Sequence, residues 1–170
     1  INMSGVNSIN WARIIAQTVY YFYSYFKLGK ETVSFSVPTG NFGDVFAGYL
    51  AKKMGLPIDK LIVATNENDI LHRAISKGDY VSKKVKETSS PSMDIQLASN
   101  FERLIYYVNN SDTEKTAEIM KKVNQNSYQI DKSSLEIIQK DFLSESCNEQ
   151  ETLDIIKKNH EENNIILDPH

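Results

Sequence analysis

Residues 32–65 read TVSFSVPTGNFGDVFAGYLAKKMGLPIDKLIVAT, and this stretch decides the fold. Thr32-Val33-Ser34-Phe35-Ser36-Val37 alternates β-branched or aromatic residues with serine, the pattern of a strand. Pro38 ends it, and residues 39–43 make a tight turn. A helix follows over residues 44–54, with Val45, Phe46, Tyr49, Leu50 and Met54 as its apolar members. Gly55 and Pro57 stop it. Lys60-Leu61-Ile62-Val63-Ala64-Thr65 is a second strand, with the continuous apolar centre that parallel sheets bury on both faces. Strand, turn, helix and strand make a βαβ unit, and such units build parallel sheets with helices on their faces. The class this predicts is α/β, three-layer, with a parallel sheet and flanking helices.

Upstream, Trp11, Ile14, Ile15, Val19, Phe22 and Phe26 fall at helical spacing and predict one buried stripe on a helix over residues 10–26. Asn7, Ser8 and Asn10 are its candidate N-caps, and Gly29 its stop. Downstream the pattern loosens. Residues 69–76 suit a short helix, and Ser89-Ser90-Pro91-Ser92 is loop chemistry. Ser99, Ser111 and Ser133 each stand three residues before a glutamate, the spacing of a capping box. The helices behind them carry Phe101 to Val108, then Ile119 to Val123, then Ile138 and Phe142. A fourth, capped from Asn148, carries Leu153, Ile155 and Ile156. Residues 1–98 thus form an α/β portion, and residues 99–170 a helix-rich continuation ending where Ile165-Ile166-Leu167 begins to read as a strand. The first residue is not methionine and the last run breaks off, so both ends read as cut from a longer chain. Open sheet edges at such cuts would favour self-association.

Composition narrows the classes. At 41% apolar and 24% charged residues the chain is that of a globular protein, with no apolar run near the ~20 residues that cross a bilayer. The net charge is −3, spread as +4 over residues 1–90 and −7 over residues 91–170. That suits a small phosphorylated ligand and falls far short of a nucleic-acid-binding face. The lone Cys147 cannot staple the fold, which fits a cytoplasmic setting, and its neighbours Glu145 and Glu149 disfavour a thiolate. His72, His160 and His170 share no metal-ligand spacing.

The chemistry lies in Thr39-Gly40-Asn41-Phe42-Gly43-Asp44. Two glycines let a ligand approach the backbone, and a helix then begins whose first N–H groups have no partner within it. Such an end carries partial positive charge and binds anions, phosphate above all. The turn lacks both the dinucleotide glycine pattern and the Lys-Ser/Thr of a nucleotide loop. Taken alone it is a phosphate site or a plain tight turn. Asp44 favours the helix start but would repel a phosphate if it pointed inward.

The string Ser36-Val37-Pro38-Thr39-Gly40-Asn41-Phe42-Gly43-Asp44 resembles the phosphate loop of threonine synthases, fold-type II pyridoxal-phosphate enzymes of the tryptophan-synthase-β-like group. Segments around Asn7-Ser8-Ile9-Asn10-Trp11-Ala12-Arg13, Asn66-Glu67-Asn68-Asp69, Pro91-Ser92-Met93-Asp94, Ser99-Asn100-Phe101-Glu102-Arg103 and Asp168-Pro169-His170 resemble the same family in the same order. The resemblance implies conversion of O-phosphohomoserine and water to threonine and phosphate, with pyridoxal 5'-phosphate as electron sink. Thr39 (a hydroxyl usually filled by Ser), Gly40, Asn41, Phe42, Gly43 and Asp44 would hold the cofactor phosphate. Asn7, Ser8, Asn10, Asn66, Asn68 and Asp69 are candidate contacts to substrate or cofactor; the last three are equally suited to turns and caps.

One departure matters. The family's Schiff-base lysine lies in a motif upstream of this segment, and Phe26-Lys27-Leu28 is only a superficial match near a helix end. The hydroxyl residue that meets the cofactor's ring nitrogen would follow His170. The chain is therefore expected to hold the phosphate cradle, to contain no catalytic residue and to be inactive alone. Two alternatives are a non-catalytic phosphate-binding module of this fold and another α/β enzyme with a sugar-phosphate ligand.

Overall fold

The computed structural model describes residue 7 and residues 9–170. Helix α1 (Trp11–Leu28) leads into strand β1 (Val33–Pro38), helix α2 (Gly43–Lys53) and strand β2 (Ile58–Thr65). Helix α3 (Ile70–Lys77), a 3-10 turn at Pro91–Met93, and helices α4 (Phe101–Val108), α5 (Thr113–Asn124) and α6 (Lys132–Asp141) follow. Strand β3 (Phe142–Ser146) and helix α7 (Glu149–Asn163) complete the order. The sheet runs β1-β2-β3, parallel throughout, with Val37 opposite Val63 and Leu61 opposite Phe142. The α/β class and the βαβ unit at residues 32–65 stand as read.

The sheet is covered by side chains from both halves of the chain. Phe46, Leu61, Val63, Leu71, Phe101, Leu104, Ile138 and Phe142 belong to one buried cluster. Gly48 lets α1 and α2 meet closely, since a Cβ there would lie 2.5 Å from the Tyr21 ring. Lys52 reaches Asp141 at 2.7 Å and ties the end of α2 to the junction of α6 and β3.

Four readings are corrected. The buried face of α1 is Ile14, Thr18 and Tyr21, whereas Trp11, Ile15, Val19 and Phe26 are exposed. That helix is apolar nearly all round, so periodicity cannot choose which stripe meets the sheet. Phe142 opens a strand instead of closing a helix, because its partner is Leu61, remote in sequence. Residues 165–170 form no strand, and the apolar residues of α7 are not buried. Among the described residues only Asn148–Glu151 makes the full capping box; α5 and α6 start on Asp112 and Asp131, and α4 on Asn100.

The α6 cap yields a pH prediction. Asp131 accepts from the Ser133 hydroxyl at 2.5 Å, the Ser134 N–H at 3.0 Å and the Ser134 hydroxyl at 2.7 Å. These bonds to the ionised form hold its carboxyl down at about 2, from 3.8. A depressed carboxyl stabilises the fold above its unfolded value and loses that contribution as pH falls through the folded one. Asp131→Ala is expected to cost about 1 kcal/mol at pH 7. In paired urea titrations the gap from the parent should close between about pH 4 and pH 2. A gap that persists at pH 2 would show that the carboxylate is not what caps α6.

Candidate functional site

Three loops leave the carboxyl edge of the sheet side by side, after β1, β2 and β3. Ligands of open α/β sheets bind at that edge. The Thr39 N–H donates to the Ala64 carbonyl at 2.8 Å and the Cys147 N–H to that of Thr65 at 2.9 Å, so the ladder continues into the loops.

The turn after β1 is tightly built. Thr39 is buried, and its hydroxyl donates to the Val37 carbonyl at 2.6 Å. Gly40 faces the Pro91–Met93 turn, where a Cβ would meet the Ser92 carbonyl oxygen at 2.9 Å. Phe42 stands at φ 65°, in the left-handed region that bulky residues avoid. The strain is of the order of 1–3 kcal/mol. Burial of the ring, 1% exposed, supplies a comparable stabilisation. The ring sits edge-on to Phe101 at 5.2 Å and tilted against Phe142 at 5.6 Å.

Phe42 is also the N-cap of α2 and gives that helix no side-chain cap. The N–H groups of Gly43, Asp44 and Val45 can have no partner within the helix. Among the described residues no acceptor meets these three, nor those of Gly40, Asn41 and Phe42. The six residues line a cleft of about 170 Å³ completed by Arg13 and Gln17 of α1. Backbone donors, a helix start and an arginine around one small cleft suit a phosphate. Gln17 adds an orphan: its Oε1 is buried without a partner among the described residues. Exchanging the O and N of that amide, a choice set only by the hydrogen-bond network, supplies a donor instead.

Asp44 lines the cleft, but its side chain is also in reach of α1. The Tyr21 hydroxyl donates to the Asp44 carbonyl at 2.9 Å and reaches its carboxylate at 3.4 Å. Desolvation there raises the carboxyl above its ordinary value, and the Tyr21 bond lowers it by less. The side chain is thus engaged by α1.

The other candidates are distributed differently. Asn7 accepts from the Ile9 N–H and Asn10 from that of Ala12, as turn and cap, and neither lines the cleft. Ser8 lies outside the described residues. Asn66 and Asn68 are buried. Asn66 Nδ2 donates to Thr88, Ser90 and Asp94, and Asn68 Nδ2 to Asp94 and the Lys86 carbonyl. Asp69 pairs with Arg73 at 2.9 Å. Residues 66–69 therefore hold the irregular segment 79–100 across the sheet edge. Asp168 and His170 pair at 2.8 Å beside a second cleft of about 200 Å³, which shares Pro38 with the first. A larger hollow, about 880 Å³, opens between Trp11, Tyr106 and Met120. Its lining is mainly apolar and includes none of the loop's N–H groups, so the chemistry points to the smaller cleft. No cluster of metal-ligating side chains occurs among the described residues, and no helix there is long and apolar enough to cross a membrane.

Sequence reasoning missed Arg13 and Gln17 as parts of the cleft. Their spacing of four residues puts them on one helix face, a signal that was present but shared with several other pairs on α1.

No protein-family model matches the chain. The threonine synthase of Saccharomyces cerevisiae is 51% identical over 188 residues, covering 99% of this chain and 37% of that protein. The PLP-bound threonine synthase of Brucella melitensis, a crystal structure, superposes with a TM-score of 0.94 at 48% identity, over 98% of this chain and 37% of its own. The yeast threonine synthase crystal structure superposes with a TM-score of 0.90 at 48% identity, over 99% of this chain and 37% of its own. The chain spans little more than a third of the length of these relatives.

Proposed function

We propose that the chain is one stretch of a threonine synthase, since it matches such enzymes end to end over about a third of their length, and that it holds the phosphate of pyridoxal 5'-phosphate in an enzyme of that activity. The observation that carries this is that the six residues Gly40 to Val45, whose N–H groups have no acceptor among the described residues, line one cleft at the start of α2. The reaction is the conversion of O-phosphohomoserine and water to threonine and phosphate, that of a lyase acting on a phosphate ester. The lone free Cys147 fits a cytoplasmic enzyme.

Each part of the chain has a task on this reading. The backbone of residues 40–45 and the α2 dipole bind the cofactor's phosphate, and Arg13 adds a full positive charge. The buried Phe42 ring anchors the loop from behind. Bound pyridoxal phosphate supplies an electron sink for the substrate's carbon framework. The lysine that attaches to it lies outside residues 1–170, as does the partner of its ring nitrogen. The exposed apolar faces of α1 and α7 pack against the remainder of such an enzyme.

The test uses the full-length protein that carries this segment. It should bind pyridoxal phosphate, and borohydride should fix the cofactor to a lysine found by peptide mapping outside this chain. Adduct formation at Lys27 would place the anchoring lysine inside this chain and overturn its assignment elsewhere, whereas no adduct together with no bound cofactor would favour a phosphate-binding module without catalysis.

A further inference from the structure

Segment 79–100 reaches the phosphate loop a second time, through its last residue. Asn100 is 1% exposed and stands at the N-cap of α4 without capping that helix. Its backbone N–H and its side-chain Nδ2 both donate to the Asn41 carbonyl, at 3.2 and 3.0 Å. The peptide between Asn41 and Phe42 is trans, so its C=O and N–H point in opposite directions. A carbonyl drawn toward Asn100 turns the Phe42 N–H the other way. Asn100 does not line the anion cleft, whereas Asn41 and Phe42 do. The N–H is therefore directed to the cleft side of the loop.

Asn100 is itself held. Arg103 Nε donates to its Oδ1 at 3.0 Å. The same guanidinium lies 5.2 Å from the Trp11 ring centroid and donates to the Ile9 carbonyl at 2.9 Å. The next residue, Phe101, packs against the Phe42 ring. The start of α4 thus grips both sides of the peptide whose rotation decides where one donor points.

We propose that Asn100 is a positioning residue for the anion site, fixing the peptide between Asn41 and Phe42 so that its N–H faces the bound phosphate. This rests on reading residues 39–44 as a phosphate cradle and adds the side chain that aims it. Asn100→Asp keeps the size and the Arg103 contact but sets a second acceptor against the Asn41 carbonyl.

The full-length protein is titrated with inorganic phosphate, pyridoxal phosphate and phosphate-free pyridoxal, with Tm measured alongside. In Asn100→Asp the two phosphate-bearing probes should bind about tenfold more weakly, the equivalent of one hydrogen bond to a charged group. Pyridoxal should stay within about twofold, because a merely structural fault would not single out the phosphate. Arg103→Gln loosens Asn100 and should shift the same two probes by a smaller factor; it decides the matter if the first variant does not fold. Equal losses for pyridoxal and pyridoxal phosphate, or unchanged phosphate binding, would overturn the proposal. If the parent protein itself fails to prefer pyridoxal phosphate over pyridoxal, the cradle reading is what fails.

Discussion

Gly40→Ala should weaken pyridoxal phosphate binding by the full-length protein about a hundredfold or more while leaving the fold largely intact. The added Cβ would stand 2.9 Å from the Ser92 carbonyl oxygen and 3.4 Å from Met93 Cα, both backbone atoms. One side must move. The Pro91–Met93 turn is the stiffer side, because Asp94 accepts from Thr88 N–H, Thr88 hydroxyl, Asn66 and Asn68 at 2.7–3.0 Å. The loop at residues 40–45 is held from the Asn100 and Phe101 side, but toward the cleft its N–H groups have no acceptors among the described residues, so that is the direction in which it can yield. It shifts, and its donors lose alignment together. A hundredfold corresponds to about 2.7 kcal/mol, the loss of two or three modest hydrogen bonds.

Gly55→Ala is the control. It removes a glycine at φ 103° with nothing within 4 Å of the added Cβ. It should cost about 1 kcal/mol of stability through backbone strain and leave cofactor affinity unchanged. Cofactor titration by absorbance separates the two cases. Affinity within about threefold of the parent for Gly40→Ala would mean that the contact with Ser92 does not set the loop, since even half the expected energy exceeds that factor.

The parts of this molecule that could be read from sequence are those whose cause is local. The alternation at Val33, Phe35 and Val37 and the apolar run at Leu61, Ile62 and Val63 declare two strands, and both lie in the sheet as a parallel pair. The glycines at positions 40 and 43 mark a turn before a helix, and the helix follows. What was hidden depends on partners far along the chain. Strand β3 is five residues attached directly to a helix, and its Phe142 continues the helical spacing from Ile138; only pairing with β2 makes it a strand. Asn66 and Asn68 resemble turn residues until Thr88, Ser90 and Asp94, more than twenty positions on, are brought onto them. Ser111 and Ser133 lost the cap positions of α5 and α6 to Asp112, one residue after the first, and Asp131, two residues before the second, whose carboxylates accept a stronger, charge-assisted bond. Arg13 reaches the cleft because α1 lies on α2 with Ile14, Thr18 and Tyr21 buried, a packing that the missing side chain of Gly48 admits at the Tyr21 ring.

Phe42 tests whether the loop's backbone is held in its strained form. Phe42→Ala should destabilise the protein by about 3–5 kcal/mol, the usual cost of emptying a buried aromatic site. Against a total of about 5–15 kcal/mol for a domain, that is a large fraction. Phe42→Gly removes the same ring and one carbon more, so packing alone predicts the larger loss. The backbone predicts the reverse order. At φ 65° an alanine keeps the clash between Cβ and its own carbonyl, costing about 1–2 kcal/mol, which glycine escapes. Glycine's more flexible unfolded chain returns only about 0.4–1 kcal/mol of that difference. Phe42→Gly should therefore unfold at higher urea than Phe42→Ala by the equivalent of about 0.5–1 kcal/mol. If alanine proved the more stable, the residue would not be confined to the left-handed region in solution. The peptide before it would then lack the fixed direction on which an aimed Phe42 N–H depends.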